Sequence, residues 1–581
     1  MCGIAGISSK TIDKEFEEKC KIMASFLNHR GPDESGFFKD SNNLMFHKRL
    51  SIVDLHGGKQ PIENENYVLI VNGEIYNDTE IRKENNDYDF KTMSDSESIL
   101  CVYEKYGIDG FKKLRGMYAF AIYEKKVNKI ILGRDQFGIK PLYFHSSKNK
   151  FIYSSEIQSL IRSGLIKSDL DTNKIKELLQ IQFNTGRETV FNDILRLRPG
   201  EILTVVDFNI ISSKIFKKFD KEKKFRPTKK NIHEELEKSV LIHQRSDVPY
   251  GLFFSGGLDS TLILYFMSLV NSNPINCYSV VFENEKKQKE KLKEITDHFN
   301  SDLTCINFNE TDFWSLLPEV ARVMDDPVID YAVVPTYKLA QEAKKKLKVI
   351  LTGEGGDELF GGYGRYKTFT RRFFKKDYFT KGAFTKLEKF NSELLGWNKN
   401  IEESKLRLEN EDLTDLQKIQ LFDYNNWLPN DLLIKLDRCL MAHGLEGRTP
   451  LIDKELFKNF FLIDDFYKIK GNHGKYFIKD FIKEKVNFYN PFHKKKGFTV
   501  PVNLWIPKKY KELSQILPKI NCLRDLFKEE IIKKLCLNLR NSSKSIIPVW
   551  RLVFYALWYI TNVDNKKKIE GDTFDVLRQG M

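Results

Sequence analysis

Cysteine is scarce in this chain and follows no pairing pattern. Eight cysteines are scattered over 581 residues, at positions 2, 20, 101, 277, 305, 439, 522 and 536. Neither CxxC nor HExxH occurs, which argues against a disulfide framework and against a zinc site. Reduced thiols in a cytoplasmic protein are expected. A Walker loop, GxxxxGK followed by Ser or Thr, is also missing. The opening residues have neither a basic n-region nor an apolar h-region, so no secretory signal is expected. The longest apolar stretch near the C-terminus, Ile546 to Ile560, is interrupted by Arg551. It falls short of the roughly 20 residues of a membrane-spanning helix and reads as a core helix. No internal repeat is visible. Basic charge, by contrast, is in excess, with a net +14. Its lysines are spread out or lie in short runs such as Lys344-Lys345-Lys346 and Lys566-Lys567-Lys568, which read as solvated faces or tails. Neither nucleic acid nor a membrane is therefore expected as a partner.

Hydrophobic residues make up 41% and charged residues 30%, the balance of a soluble globular chain long enough for at least two domains. Residues 1–206 alternate short apolar segments with turns, at 67–71, 118–123, 129–132, 142–144, 151–154 and 201–205. This predicts antiparallel sheet layered with helices over 13–27 and 96–106, the second capped by Ser94 or Asp95. Residues 207–230 are rich in lysine and read as a linker. Beyond it, apolar strands at 250–254, 276–282, 304–307 and 349–352 alternate with helices, a βαβ rhythm that predicts a parallel sheet covered on both faces. Residues 365–581 read as largely helical. The expected fold is an α+β N-terminal domain (1–206), a linker, and an α/β parallel-sheet domain (231–581) with a helical C-terminal part.

Three segments carry chemistry. Cys2 follows only an initiator Met and precedes a small apolar run, Gly3 to Ile7, that reads as a buried strand. Once exposed as a terminus, such a cysteine has an α-amine able to act as base for its own thiol. Ser255-Gly256-Gly257-Leu258-Asp259-Ser260 stands between a strand and a helix, where backbone N–H groups and the positive helix end receive an anion. The motif SGGxDS is the signature of ATP pyrophosphatases, and its Asp suits Mg²⁺ on pyrophosphate oxygens. A second glycine-rich turn, Gly353-Glu354-Gly355-Gly356-Asp357-Glu358, ends the strand 348–352, where α/β folds bind ligands.

An ordered set of segments surrounds these: MCGIAGI, RGPDESG (30–36), RLSIVD (49–54), VNGEIYN (71–77), SDSE (94–97), GRDQFGIKPLYF (133–144), SGGLDS (255–260), TGEGGDELFGGY (352–363), DRCLMAHGLEGRTPLID (437–453) and KKKGFTVPVNLW (494–505). Together they resemble the class II, N-terminal-nucleophile glutamine amidotransferases fused to an ATP-pyrophosphatase synthetase, the architecture of the glutamine-hydrolysing asparagine synthetase family. The resemblance implies Cys2 as nucleophile on glutamine, with Asn72 and the Gly73 N–H as oxyanion hole. It implies Arg49 on glutamine's α-carboxylate, Glu74 and Asp95 on its α-ammonium, and backbone near Ile52 as pocket wall. A zwitterionic amino acid needs such a set of one cation and one or two carboxylates. Without the resemblance, Arg49 and Asp95 read as surface ion pairs and Asn72-Gly73 as a hairpin turn.

For the second site the resemblance implies ATP on Ser255, Gly256, Gly257, Asp259 and Ser260. Phe253 and Val281 would flank adenine or ribose, and Thr352 and Gly353 would close the nucleotide site. Asp259 and Asp357 look like the Mg²⁺ ligands. Glu354 and Tyr363 would lie near the reacting carboxylate, Glu354 as base for ammonia. Lys495 would neutralise the phosphates, with Lys475 and Arg448 as further candidates. Implied substrates are glutamine, ATP and aspartate, and a homodimer is the family's expectation. Two other readings stand beside it. The same chemistry serves another acceptor in relatives that amidate sugar acids or peptides. A tRNA-modifying pyrophosphatase would explain SGGLDS and the charge, but not Cys2, Arg49 or Asn72-Gly73-Glu74.

Overall fold

The computed structural model describes residues 2–167, 169–219, 226–283, 285–371, 382–493, 500–564 and 570–581. The N-terminal unit carries strands β1 (Cys2–Ser9), β2 (Glu34–Lys39), β3 (Asn43–Arg49), β4 (Ile62–Glu63), β5 (Tyr67–Ile75), β6 (Gly116–Glu124), β7 (Lys129–Arg134), β8 (Tyr143–Ser147), β9 (Lys150–Ser154), β10 (Leu195–Arg196), β11 (Glu201–Val206) and β12 (Asn209–Ile215). They form two antiparallel sheets, ordered β10-β8-β9-β1-β3-β2 and β12-β11-β7-β6-β5-β4. Ile4, Met45, Phe144 and Tyr153 of the first pack against Val68, Ile70, Ala119 and Leu132 of the second. The helix Lys14–Ser25 covers the outer face of the first sheet through Cys20, Met23 and Ala24, and Glu97–Tyr106 covers the second through Ile99, Leu100 and Val102. The expected α+β layering is therefore observed.

Two local expectations change. The helix Glu97–Tyr106 is not capped by Ser94 or Asp95; no side chain caps it, and the Asp95 carboxylate instead accepts from the Ile75 N–H. The Lys-rich stretch also begins as sheet, because β12 pairs antiparallel with β11. Its side chains are exposed, so apolar patterning could not reveal an edge strand.

The second unit holds β13 (Tyr250–Phe253), β14 (Ile275–Phe282), β15 (Ser301–Phe308), β16 (Val349–Leu351) and β17 (Glu446–Arg448), all parallel, in the order β15-β14-β13-β16-β17. Along β14, Cys277 and Val281 enter one apolar core while Tyr278, Val280 and Phe282 enter the other, so helices cover both faces. The strand order reverses between β13 and β16. At such a switch point open α/β sheets bind ligands outside the strands' C-terminal ends. The helical stretch Ser543–Asp564 spans 22 residues, long enough to cross a bilayer, so its length does not exclude a membrane as the apolar run suggested. In the fold it is a core helix, with Trp550, Leu552, Phe554 and Trp558 buried inside.

Candidate active sites

At the first site β1 and β3 run antiparallel and pair Cys2 with Arg49. The Cys2 backbone N donates to Asn72 Oδ1 at 3.0 Å. Asn72 is fully buried, and its Nδ2 has no hydrogen-bond partner. A buried amide N–H left unpaired is costly unless a ligand completes it. Asn72-Gly73 is not a hairpin turn; both residues lie inside β5. A Cβ on Gly73 would sit 2.1 Å from Met117 O, so only glycine fits against β6. Burial raises the Cys2 thiol above its usual range, against the pull of the Leu50 backbone and Arg49.

Arg49 is buried but fully engaged. Its Nη1 donates to Glu34 Oε2 at 2.7 Å and to Leu55 O at 3.3 Å; its Nη2 donates to Val53 O at 3.3 Å and Asp54 O at 2.6 Å. Glu74 and Asp95, both buried, face the second unit. Arg448 Nη2 comes within 3.5 Å of Glu74 Oε1. Burial and the neighbouring Asp95 push the Glu74 carboxyl well up, against the pull of Arg448. Burial likewise pushes Asp95 up to about 6; the Ile75 N–H and Arg448 oppose it and Asp78 adds to it. Ile52 is buried, and its carbonyl accepts from the Asp247 N–H at 3.0 Å. Cys2, Arg49, Asn72, Gly73, Glu74 and Asp95 are thus carried by β1, β3, β5 and the segment that precedes the helix Glu97–Tyr106.

The second site sits at the switch point. Ser260 Oγ lies 3.1 Å from Ser255 Oγ and 3.3 Å from the Ser255 N, which ties the loop into a ring at the start of the helix Leu258–Val270. Gly256 has φ +67°, a conformation that side chains resist. Phe253 ends β13 and Val281 lies on β14 beside it. Thr352 and Gly353 follow β16. Thr352 Oγ1 is buried without a partner, and a Cβ on Gly353 would lie 3.0 Å from Asp259 Cβ. Asp259 and Asp357 converge on one cation, Lys475, whose Nζ is 2.7 Å from both Asp259 oxygens and 2.7 Å from Asp357 Oδ1. Glu354 is raised by burial, against Lys435, with Asp330, Asp357 and Asp259 adding to the shift. Tyr363 donates to Glu358 Oε1 at 2.5 Å, and burial pushes Glu358 up to about 8.

Lys495 lies outside the described residues. Arg448 is not a phosphate residue: it donates to Glu446, to the carbonyls of His243 and Arg245, and faces Glu74 at the other site. Lys475 moves from the margin to the centre. Glu358, Asp330 and Lys435 were missed, with Lys435 Nζ 3.0 Å from Asp330 Oδ2. Lys435 stands just before the segment 437–453, so position was the one signal for it. Among the described residues no group of three or more His, Cys, Asp and Glu side chains gathers as a metal cage. Two convergent carboxylates do fit Mg²⁺, which takes one or two protein carboxylates and completes its shell with phosphates and water.

Fold and sites together define a glutamine amidotransferase domain joined to a nucleotide-using synthetase domain. Residues 1–216 match the glutamine amidotransferase domain family and residues 231–559 match the asparagine synthase family. The chain belongs to the asparagine synthase family. The glutamine-hydrolyzing asparagine synthetase 1 of Bacillus subtilis is 30% identical, the match covering 97% of this chain and 98% of that protein. Asparagine synthetase B of Escherichia coli is 29% identical over 84% of this chain and 80% of its own. The family carries glutamine amidotransferase and asparagine synthase-type chemistry and implies the use of ATP.

Proposed function

We propose that the chain makes asparagine from aspartate, taking nitrogen from glutamine and energy from ATP. The Cys2 sulfur attacks the glutamine side-chain amide and its own α-amine takes the thiol proton. The Asn72 amide and the Gly73 N–H receive the developing oxyanion. The Cys2 α-ammonium returns that proton to the departing nitrogen, ammonia leaves, a γ-glutamyl thioester remains, and water releases glutamate. Arg49 exchanges Glu34 for the α-carboxylate of glutamine, and Glu74 and Asp95 hold its α-ammonium.

At the switch point the Ser255–Ser260 loop seats the phosphates of ATP, with Thr352 and Gly353 closing the site. The acceptor carboxylate attacks the α-phosphate and pyrophosphate leaves. Ammonia, carried inside the protein, then attacks the acyl carbon of the adenylate and AMP leaves. Glu354 takes the proton that ammonia loses. Mg²⁺ would be held by Asp259 and Asp357 and would offset charge on the pyrophosphate oxygens. The single observation that carries this reading is the Asn72 side chain, whose Oδ1 accepts from the Cys2 N while its buried Nδ2 has no partner. A panel of carboxylates tested for glutamine-dependent release of AMP and pyrophosphate decides the acceptor. Aspartate should give AMP, pyrophosphate and glutamate in equal amounts. A sugar acid or peptide that outperforms it would replace aspartate in the reaction.

A further inference from the structure

Two strands of the synthetase sheet begin at the glutaminase unit and end beside the nucleotide loops. Asp247 precedes β13, whose far end carries Ser255. Lys348 precedes β16, whose far end carries Thr352. Both residues grip the same loop of the other unit. The Asp247 N–H donates to Ile52 O at 3.0 Å, and Asp247 Oδ2 accepts from the Asp54 N–H at 2.8 Å. Lys348 Nζ donates to Asp33 Oδ2 at 2.7 Å and lies 3.5 Å from Ser51 O. The same Asp33 oxygen accepts from the Ser51 N–H at 2.8 Å, and the Asp33 N–H donates to Arg49 O at 3.0 Å.

That loop is the collar of Arg49. The carbonyls of Val53, Asp54 and Leu55 hold the two terminal nitrogens of its guanidinium. Asp54 adopts φ +52°, the left-handed region, which a non-glycine residue keeps only when its surroundings hold it there. Its carbonyl supplies the shorter of the two bonds to Nη2 and also accepts from the Gly58 N–H at 3.0 Å. From the synthetase domain, Asp247 holds the Asp54 peptide through its N–H.

We infer that Asp247 and Lys348, two residues of the synthetase domain, are positioning residues for the glutamine pocket, setting Arg49 through the collar 51–55. The inference rests on the assignment of Arg49 to glutamine's α-carboxylate. Neither residue touches Cys2, Asn72 or the nucleotide loops, so each acts on the binding of glutamine and not on either chemical step. Asp247→Ala removes the acceptor for the Asp54 N–H, and the collar then relaxes from the strained φ. Asp247→Asn keeps an acceptor oxygen at the same place.

The test is steady-state kinetics on the full-length protein, with glutamine and separately with ammonium chloride as nitrogen source. Asp247→Ala and Lys348→Met should each raise the glutamine KM about three- to tenfold, the worth of one hydrogen bond. The kcat for glutamine hydrolysis and the ammonium-dependent rate should hold, and Asp247→Asn should restore most of the lost affinity. Arg49→Ala is the control. If it leaves the glutamine KM unchanged, the pocket assignment fails. If Arg49→Ala raises the KM while Asp247→Ala and Lys348→Met do not, the positioning role alone is overturned. Equal losses of glutamine- and ammonium-dependent rates in both variants would also overturn it, since that is the mark of a merely structural contact. Should Asp247→Ala fail to fold, Lys348→Met carries the same readout.

Discussion

At the scale of the residue, Asn72 and Asp95 make the sharpest commitments. A side-chain amide has a donor end and an acceptor end, and here only the acceptor end is used, by the Cys2 N. Asn72→Ala should therefore lower glutamine hydrolysis by about 10²–10³, the usual cost of one oxyanion donor, with ammonium-dependent synthesis preserved. A loss below tenfold in a glutaminase assay would remove Asn72 from that role. Cys2→Ala goes further: glutamine-dependent synthesis should vanish and ammonium-dependent synthesis survive, because the nucleophile proposed at Cys2 serves one half-reaction only. Asp95 gives a pH signature. Its carboxyl is raised to about 6, chiefly by burial. Only the ionised form pairs with an ammonium, so kcat/KM for glutamine should fall as pH drops through about 6. A profile flat from about pH 5 to 7 would show that Asp95 does not meet the substrate in its charged form. These residues were legible in the sequence because they sit in short ordered segments. Their partners were not. Arg448 lies 374 positions from Glu74, as their numbers give, and no local spacing announces a contact made by two folded domains.

At the scale of the element, glycine-rich turns after β13 and β16 matter more than the strands themselves. Both turns were read from the sequence, as were β13 to β16, because short segments rich in apolar and β-branched residues between turns mark strands. β17 was not read. It is the tripeptide Glu446-Gly447-Arg448, buried throughout, with its charges satisfied by each other and by the first domain. Hydropathy cannot find a strand whose side chains are polar and buried at once. The metal prediction belongs to the turns. Gly356 lies so close that a Cβ there would stand 2.4 Å from Asp259 Oδ1, so the two loops press their carboxylates together. Asp259→Asn removes one of the two charges that converge on Lys475, and with it a ligand suited to Mg²⁺. Synthesis should be abolished from either nitrogen source, while glutamine hydrolysis continues. Product formation at a near wild-type rate would remove Asp259 from the proposed Mg²⁺ site.

At the scale of the whole molecule, the two units are joined by buried charge as well as by apolar contact. Arg30, fully buried in the first unit, forms a bidentate pair with Asp437 of the second at 2.8 and 2.9 Å, bonds Glu156 at 2.8 Å, and donates through Nε to Cys2 O at 3.1 Å. Asp437 also accepts from Arg438, whose Nε bonds Asp325 at 2.6 Å. Burial would raise the Asp437 and Glu156 carboxyls. For Asp437 the Arg30 and Arg438 guanidiniums outweigh it, and for Glu156 His29 joins them, so both are held below the ordinary range. A carboxyl depressed in the folded state contributes stability that is complete above its unfolded value and is lost as pH falls through the folded one. Unfolded Asp and Glu titrate near about 3.9 and 4.3. The melting midpoint should therefore hold between about pH 7 and 5 as far as Asp437 and Glu156 decide it, and decline below about 4.5, with Asp325, raised by burial, acting in the opposite direction. Asp437→Asn leaves Arg30 buried with half its pairing, a defect that typically costs about 3–5 kcal/mol. The variant should melt lower than wild type at neutral pH and show a shallower acid decline, because one of the depressed carboxyls is gone. It should also slow glutamine hydrolysis, since Arg30 anchors the Cys2 carbonyl. If Asp437→Asn melts with wild type at pH 7 and tracks it into acid, the Arg30–Asp437 network is not what holds the two units together, and the apolar contacts and the other polar pairs between them, Arg115–Asp453 and Lys348–Asp33 among them, carry that task.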